Sequence, residues 1–122
     1  MLNQLIYSRV VNQPEAKVGL GATLIAWTDR YAGTIVDVKT SGKSKYVTVQ
    51  RDIATRTDDN GMSDSQSYEY EPNPDGPTYT FKSVDGKPYY QVSLNDVTGR
   101  WNRNDNLKLL IGCRKEYYDF SF

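Results

Sequence analysis

The sequence predicts an all-β, mainly antiparallel fold: a small SH3-like meander with long loops and an aromatic C-terminal tail. Three observations carry that expectation. Val18, Leu20, Ala22, Leu24 and Ala26 recur at every second position, the period of a strand with one buried face. Short runs rich in Val, Ile, Thr and Tyr are separated by clusters of Gly, Pro, Asn and Asp, which punctuate strands. The chain also holds ten Tyr, three Phe and two Trp, side chains that suit half-buried strands.

Residues 2–11 (LNQLIYSRVV) are compatible with a short helix or an edge strand, and Pro14 closes the segment by restricting Gln13 to extended backbone. Residues 17–28 (KVGLGATLIAWT) form the first patterned strand. Gly19 and Gly21 near its start mark a bulge or a close backbone approach. Residues 34–40 (TIVDVKT) and 45–51 (KYVTVQR) follow, joined by a Ser41-Gly42-Lys43 turn, and complete a three-strand meander. Residues 50–76 are the long polar excursion. Asp58-Asp59-Asn60-Gly61 is turn chemistry, and a loop of this length in a compact domain is usually functional or disordered. It is read as a functional loop carrying Arg56 into a site.

Residues 67–71 (SYEYE) and 78–82 (TYTFK) flank three prolines, and cross-strand pairing of Tyr68 and Tyr70 with Tyr79 and Phe81 is expected. Residues 89–94 (YYQVSL) are a further strand after an Asp85-Gly86 turn. Residues 95–106 are a second polar segment, and 107–111 (LKLLI) an apolar core strand. The ending GCRKEYYDFSF is too apolar for a frayed terminus and is expected to pack on its own sheet or on another subunit. About seven strands in one domain, residues 1–122, are expected.

Composition narrows the chemistry. Of the 122 residues, none is histidine and one, Cys113, is cysteine. The commonest general base is therefore missing, and so is the usual ligand set of a structural zinc site. Fifteen basic and fifteen acidic residues cancel, so no whole-molecule field draws the protein to nucleic acid. No apolar run approaches the roughly 20 residues of a membrane span, and residues 1–9 lack the features of a secretory signal. A cytoplasmic protein without membrane contact is expected.

Carboxylate pairs are the remaining catalytic option. Asp58 and Asp59 lie in turn chemistry, while Glu69 and Glu71 read as a solvated strand face. Neither looks like two carboxyls held across a cleft. The Asp-rich loop fails the EF-hand spacing, because Arg56 falls at the first ligand position. Gly19-x-Gly21 lacks the third glycine and the helix of a dinucleotide fingerprint. No enzyme activity, cofactor or metal is expected. What remains is a set of arginines and aromatics in loops and strand ends: Arg30, Arg56, Phe81, Arg100, Trp101, Arg103 and Arg114. Guanidinium forks match phosphate geometry, and aromatic faces stack on bases. Trp27 and Phe120 read as core.

GATLIAWTDRYAGTIVDV, RTDDNGMSDSQSYEYEPNPDG and EYYDFSF resemble segments of small phage and prophage proteins, and within these the anti-Thoeris sponge family. That resemblance implies an oligomer that binds cyclic ADP-ribose isomers in pockets between protomers and sequesters them undegraded. It also implies Arg56, Phe81, Arg100 and Arg114 as the principal contacts; Arg30 and Trp101 are added as expected ligand residues on residue type and loop placement. Binding of single-stranded nucleic acid or of a protein partner through an SH3-like module is the alternative.

Overall fold

A computed structural model describes residues 14–57 and 68–114, and among these it contains strands and turns but no helix. In chain order the strands are β1 (Gly21–Ile25), β2 (Arg30–Ser41), β3 (Ser44–Arg51), β4 (Ile53–Arg56), β5 (Tyr68–Glu71), β6 (Thr78–Val84), β7 (Tyr90–Leu94), β8 (Trp101–Arg103) and β9 (Lys108–Ile111). Seven of them form one antiparallel sheet in the order β8-β7-β6-β3-β2-β1-β9, and β4 pairs with β5 in a separate ribbon. The all-β expectation holds. The opening segment 2–11, the excursion at 58–67 and the aromatic ending from 115 lie outside the described residues.

Alternation in β3 and β6 sorts the side chains between two faces. Val47 and Val49 point inward with their partner Phe81, while Tyr46, Thr48, Thr80 and Lys82 point outward. The inward face joins Ala22, Leu24, Ile35, Leu109 and Ile111 in one core. The sheet curls around this core. Gln91 of β7 is buried, and its carbonyl and side-chain oxygens accept hydrogen bonds from the Asn104 and Leu107 amides at 3.1 and 2.7 Å. Those bonds draw the lead-in to β9 against the far side of the sheet.

β1 departs from simple alternation, since all five of its residues are buried. The segment after β9 folds over its second face. Gly112 N–H donates to the Gly21 carbonyl at 2.8 Å, and Thr23 Oγ1 donates to the Cys113 carbonyl at 2.9 Å. A β-carbon on Gly21 would sit 2.7 Å from the Arg114 guanidinium, so glycine leaves room for that side chain. Gly33 in β2 is packed as closely: a β-carbon there would meet Val49 Cγ1 at 2.6 Å and the Gln50 carbonyl at 2.9 Å. Gly33→Ala is therefore expected to cost about 1–3 kcal/mol through overpacking, read as a lower urea midpoint with an unchanged m-value.

Three expectations are corrected. Trp27 is not core but 97% exposed, because it sits on the tight β1–β2 turn closed by Ala26 N–H to the Asp29 carbonyl. The β5 tyrosines do not pair with β6. Tyr68 and Tyr70 stack on each other at 6.4 Å along their own strand, which pairs with β4. The proline connection instead staples to the end of β3, where Gln50 Nε2 donates to the Pro74 and Gly76 carbonyls and Arg51 N–H to the Pro77 carbonyl. That carries β6 to β3 rather than back onto β5. Finally, the polar segments at 50–76 and 95–106 contain strands, β4 and β8. Both lack a buried apolar face, which is the signal a sequence reading depends on.

Candidate functional site

Among the described residues, a concavity lies where the β2–β3 and β6–β7 turns meet. It is a cleft of about 360 Å³, within the range of small-molecule sites, open to solvent on one side. Local sequence explains its walls. The β2–β3 and β6–β7 turns both read Gly-Lys, with Gly42 and Gly86 in left-handed backbone at φ 58° and 72°. Strand register places the two turns side by side, and Asp85 N–H donates to the Lys43 carbonyl at 2.9 Å. Lys43 and Lys87 therefore stand on adjacent turns of one rim.

The floor continues the inward row of the core. Lys45 pairs with Ser83 one step beyond Val47 and Phe81, and Tyr89 precedes Tyr90 of β7. The apolar interior thus ends in a layer of Lys, Ser and Tyr. Ser83 Oγ donates to the Lys87 carbonyl, fixing the rim turn to the floor. Glu15 enters from the segment before β1, with a carboxylate oxygen 3.8 Å from Lys45 Nζ. Burial, reinforced by the Glu15 charge, raises the Tyr89 pKa above its ordinary value. Its hydroxyl stays protonated at physiological pH, able to donate a hydrogen bond. Three lysines face one carboxylate here, together with hydroxyl donors. Such a set favours a small multivalent anion.

None of the six residues expected to bind ligand lines this cleft. Phe81 is fully buried in the core and presents no surface to a ligand. Arg114 is committed to structure: its Nε donates to Asp52 at 2.9 Å, and its Nη2 to Thr34 Oγ1 at 3.0 Å. Arg30 is half-buried at the start of β2, with Nη1 donating to the Asp29 carbonyl at 3.1 Å. Arg56 is half-buried on β4, opposite Tyr68. Arg100 is exposed just before β8, and Trp101 is 42% exposed on that strand. Arg100 and Arg114 belong to opposite ends of the strand order.

The cleft lysines escaped the sequence reading because lysine in a turn ordinarily faces solvent. The available signal was the repeated Gly-Lys at two turns, which the β3–β6 pairing brings together.

No family model and no solved structure matches the chain. Among curated proteins, a stretch of 41 residues is 44% identical to orotidine 5'-phosphate decarboxylase of Cupriavidus metallidurans. The stretch covers 34% of this chain and 15% of that enzyme, too little to carry the enzyme's activity across. Among the described residues, no helix is long and apolar enough to cross a membrane.

Proposed function

We propose that this protein is a non-catalytic binder that takes up an anionic nucleotide of the cyclic ADP-ribose type and holds it intact. Its setting is that of a phage or prophage protein that removes a host defence signal from the host cytoplasm. The observation that carries this reading is the convergence of Lys43, Lys45 and Lys87 with the protonated Tyr89 hydroxyl around one cleft. A pyrophosphate spreads negative charge over several oxygens and is best met by several donors at once. The lysines meet the phosphates, and Tyr89 adds a neutral donor. Sequestration asks for affinity without turnover, which a rigid rim of turns on a sheet supplies. In the same reading the protein works as a homo-oligomer, with the EYYDFSF ending meeting a second copy.

The test is to incubate the protein with cyclic ADP-ribose isomers, remove free ligand, release the remainder by heat and identify it. Intact ligand is expected, whereas cleaved ligand would point to an enzyme. Lys45→Gln and Lys87→Gln are each expected to weaken binding by roughly 10- to 100-fold, the scale of a lost hydrogen bond to a charged group. Melting of the Lys87 variant should change little, because that side chain is exposed on a turn. Wild-type affinity in both variants would place the ligand elsewhere.

A further inference from the structure

The outward face of the sheet carries a second pattern, on the side opposite the cleft. Register aligns Lys39 of β2 with Tyr46 of β3, Tyr46 with Lys82 of β6, and Lys82 with Tyr90 of β7. Cation and ring alternate across four adjacent strands. The row is tied together by contact. Lys82 Nζ lies 5.4 Å from the centre of the Tyr46 ring, and the Arg103 guanidinium lies 4.5 Å from that of Tyr90. Trp101 closes the group, its ring centre 5.9 Å from that of Tyr46 and tilted by 40°.

This arrangement differs from an ordinary solvated face in two ways. On an exposed strand face, opposite charges set beside each other are stabilising. Here Lys39 pairs with Asp37 at 3.6 Å and Arg103 with Asp105 at 2.8 Å, but Lys82 lies against a ring, so among the described residues of this row three cations face two carboxylates. Trp101 also keeps 42% of its surface exposed beside that excess positive charge, with Leu94 opposite it 48% exposed. A ring stacks on a base whatever the base is, and an adjacent cation meets the phosphate that follows.

We infer that this face is a binding platform for single-stranded nucleic acid. Bases stack on Trp101, and Lys82 and Arg103 contact the backbone. The zero net charge of the whole chain does not bear on this surface, because screening confines the relevant field to roughly 10 Å at 0.1 M salt. Few phosphates are engaged. The logarithm of affinity should therefore fall with the logarithm of salt concentration at a slope of only about −1 to −2, near −0.7 for each phosphate neutralised.

The experiment is fluorescence anisotropy with labelled oligo(dT) and oligo(U), titrated with full-length protein at several salt concentrations. Measurable binding with that shallow slope is expected. Trp101→Ala should weaken it on the order of tenfold or more, the scale of one lost base stack. Lys82→Gln, a surface change that leaves the core untouched, should weaken it several-fold and reduce the slope. Lys87→Gln, on the opposite face, should leave it unchanged. No oligonucleotide binding by the wild type, or wild-type binding in both the Trp101 and Lys82 variants, would overturn the inference. So would a face that takes a protein partner and excludes oligonucleotides.

Discussion

Arg114→Ala is expected to lower the unfolding free energy by about 3–5 kcal/mol, the scale on which removing one partner from a buried ion pair destabilises a protein. The Asp52 side chain is 1% exposed, and its carboxylate accepts from Arg114 Nε at 2.9 Å and Thr34 Oγ1 at 2.7 Å. Without the guanidinium, that charge stays buried with one neutral donor. Asp52→Ala should be milder, because the Arg114 side chain is 33% exposed and can turn its charge toward water. The double variant should recover part of the loss, since no buried charge then remains unpaired. Chemical denaturation of the two single variants and the double variant checks this. Costs of about 1 kcal/mol or less for both single variants would mean that the pair is effectively solvated. The clasp also locks the segment after β9 across β1, so Arg114→Ala should speed hydrogen exchange at the Gly112 amide, which now bonds to the Gly21 carbonyl.

Phe81→Ala carries the other large effect, about 3–5 kcal/mol, from lost burial together with the cavity left behind. Phe81 is the bulkiest fully buried side chain among the described residues, paired with Val47 on one side and Gln91 on the other. Its removal would loosen the row holding Gln91, whose oxygens accept from the Asn104 and Leu107 amides. A milder Phe81→Leu change should retain the fold and, with it, ligand affinity. Strong loss of nucleotide binding in a folded Phe81→Leu protein would show that the ring reaches the ligand after all. Thermal melting alongside ligand titration distinguishes the two outcomes.

Both residues were legible from the sequence as important, but for another reason than the structure gives. Sequence shows residue type and local period, and the strands of the core follow from these. The strands β3, β6 and β7 fall close to their expected bounds, with Val47 and Val49 inward at alternate positions, whereas Phe81, expected at a ligand, joins them in the core. What sequence does not show is which chain segments meet. Arg114 looks like a loop arginine until the register of β1 with β9 brings it over Gly21 and beside Asp52. Trp27 looks like the end of a buried strand until the chain turns one residue earlier. The cleft has the same origin. Lys43 and Lys87 are 44 positions apart in a 122-residue chain and become neighbours only because β3 pairs with β6. The outward row of cation and ring is equally invisible in one dimension, since each strand contributes a single member.

Titrating isotope-labelled protein with cyclic ADP-ribose isomers and following every backbone amide by NMR locates the ligand without altering the protein. Saturable shifts centred on Lys43, Lys45, Lys87 and Tyr89 are expected, with Arg30, Arg100 and Trp101 unmoved. Shifts centred on the arginines instead, or none at concentrations well above those needed for sequestration, would contradict a nucleotide held where the two turns meet.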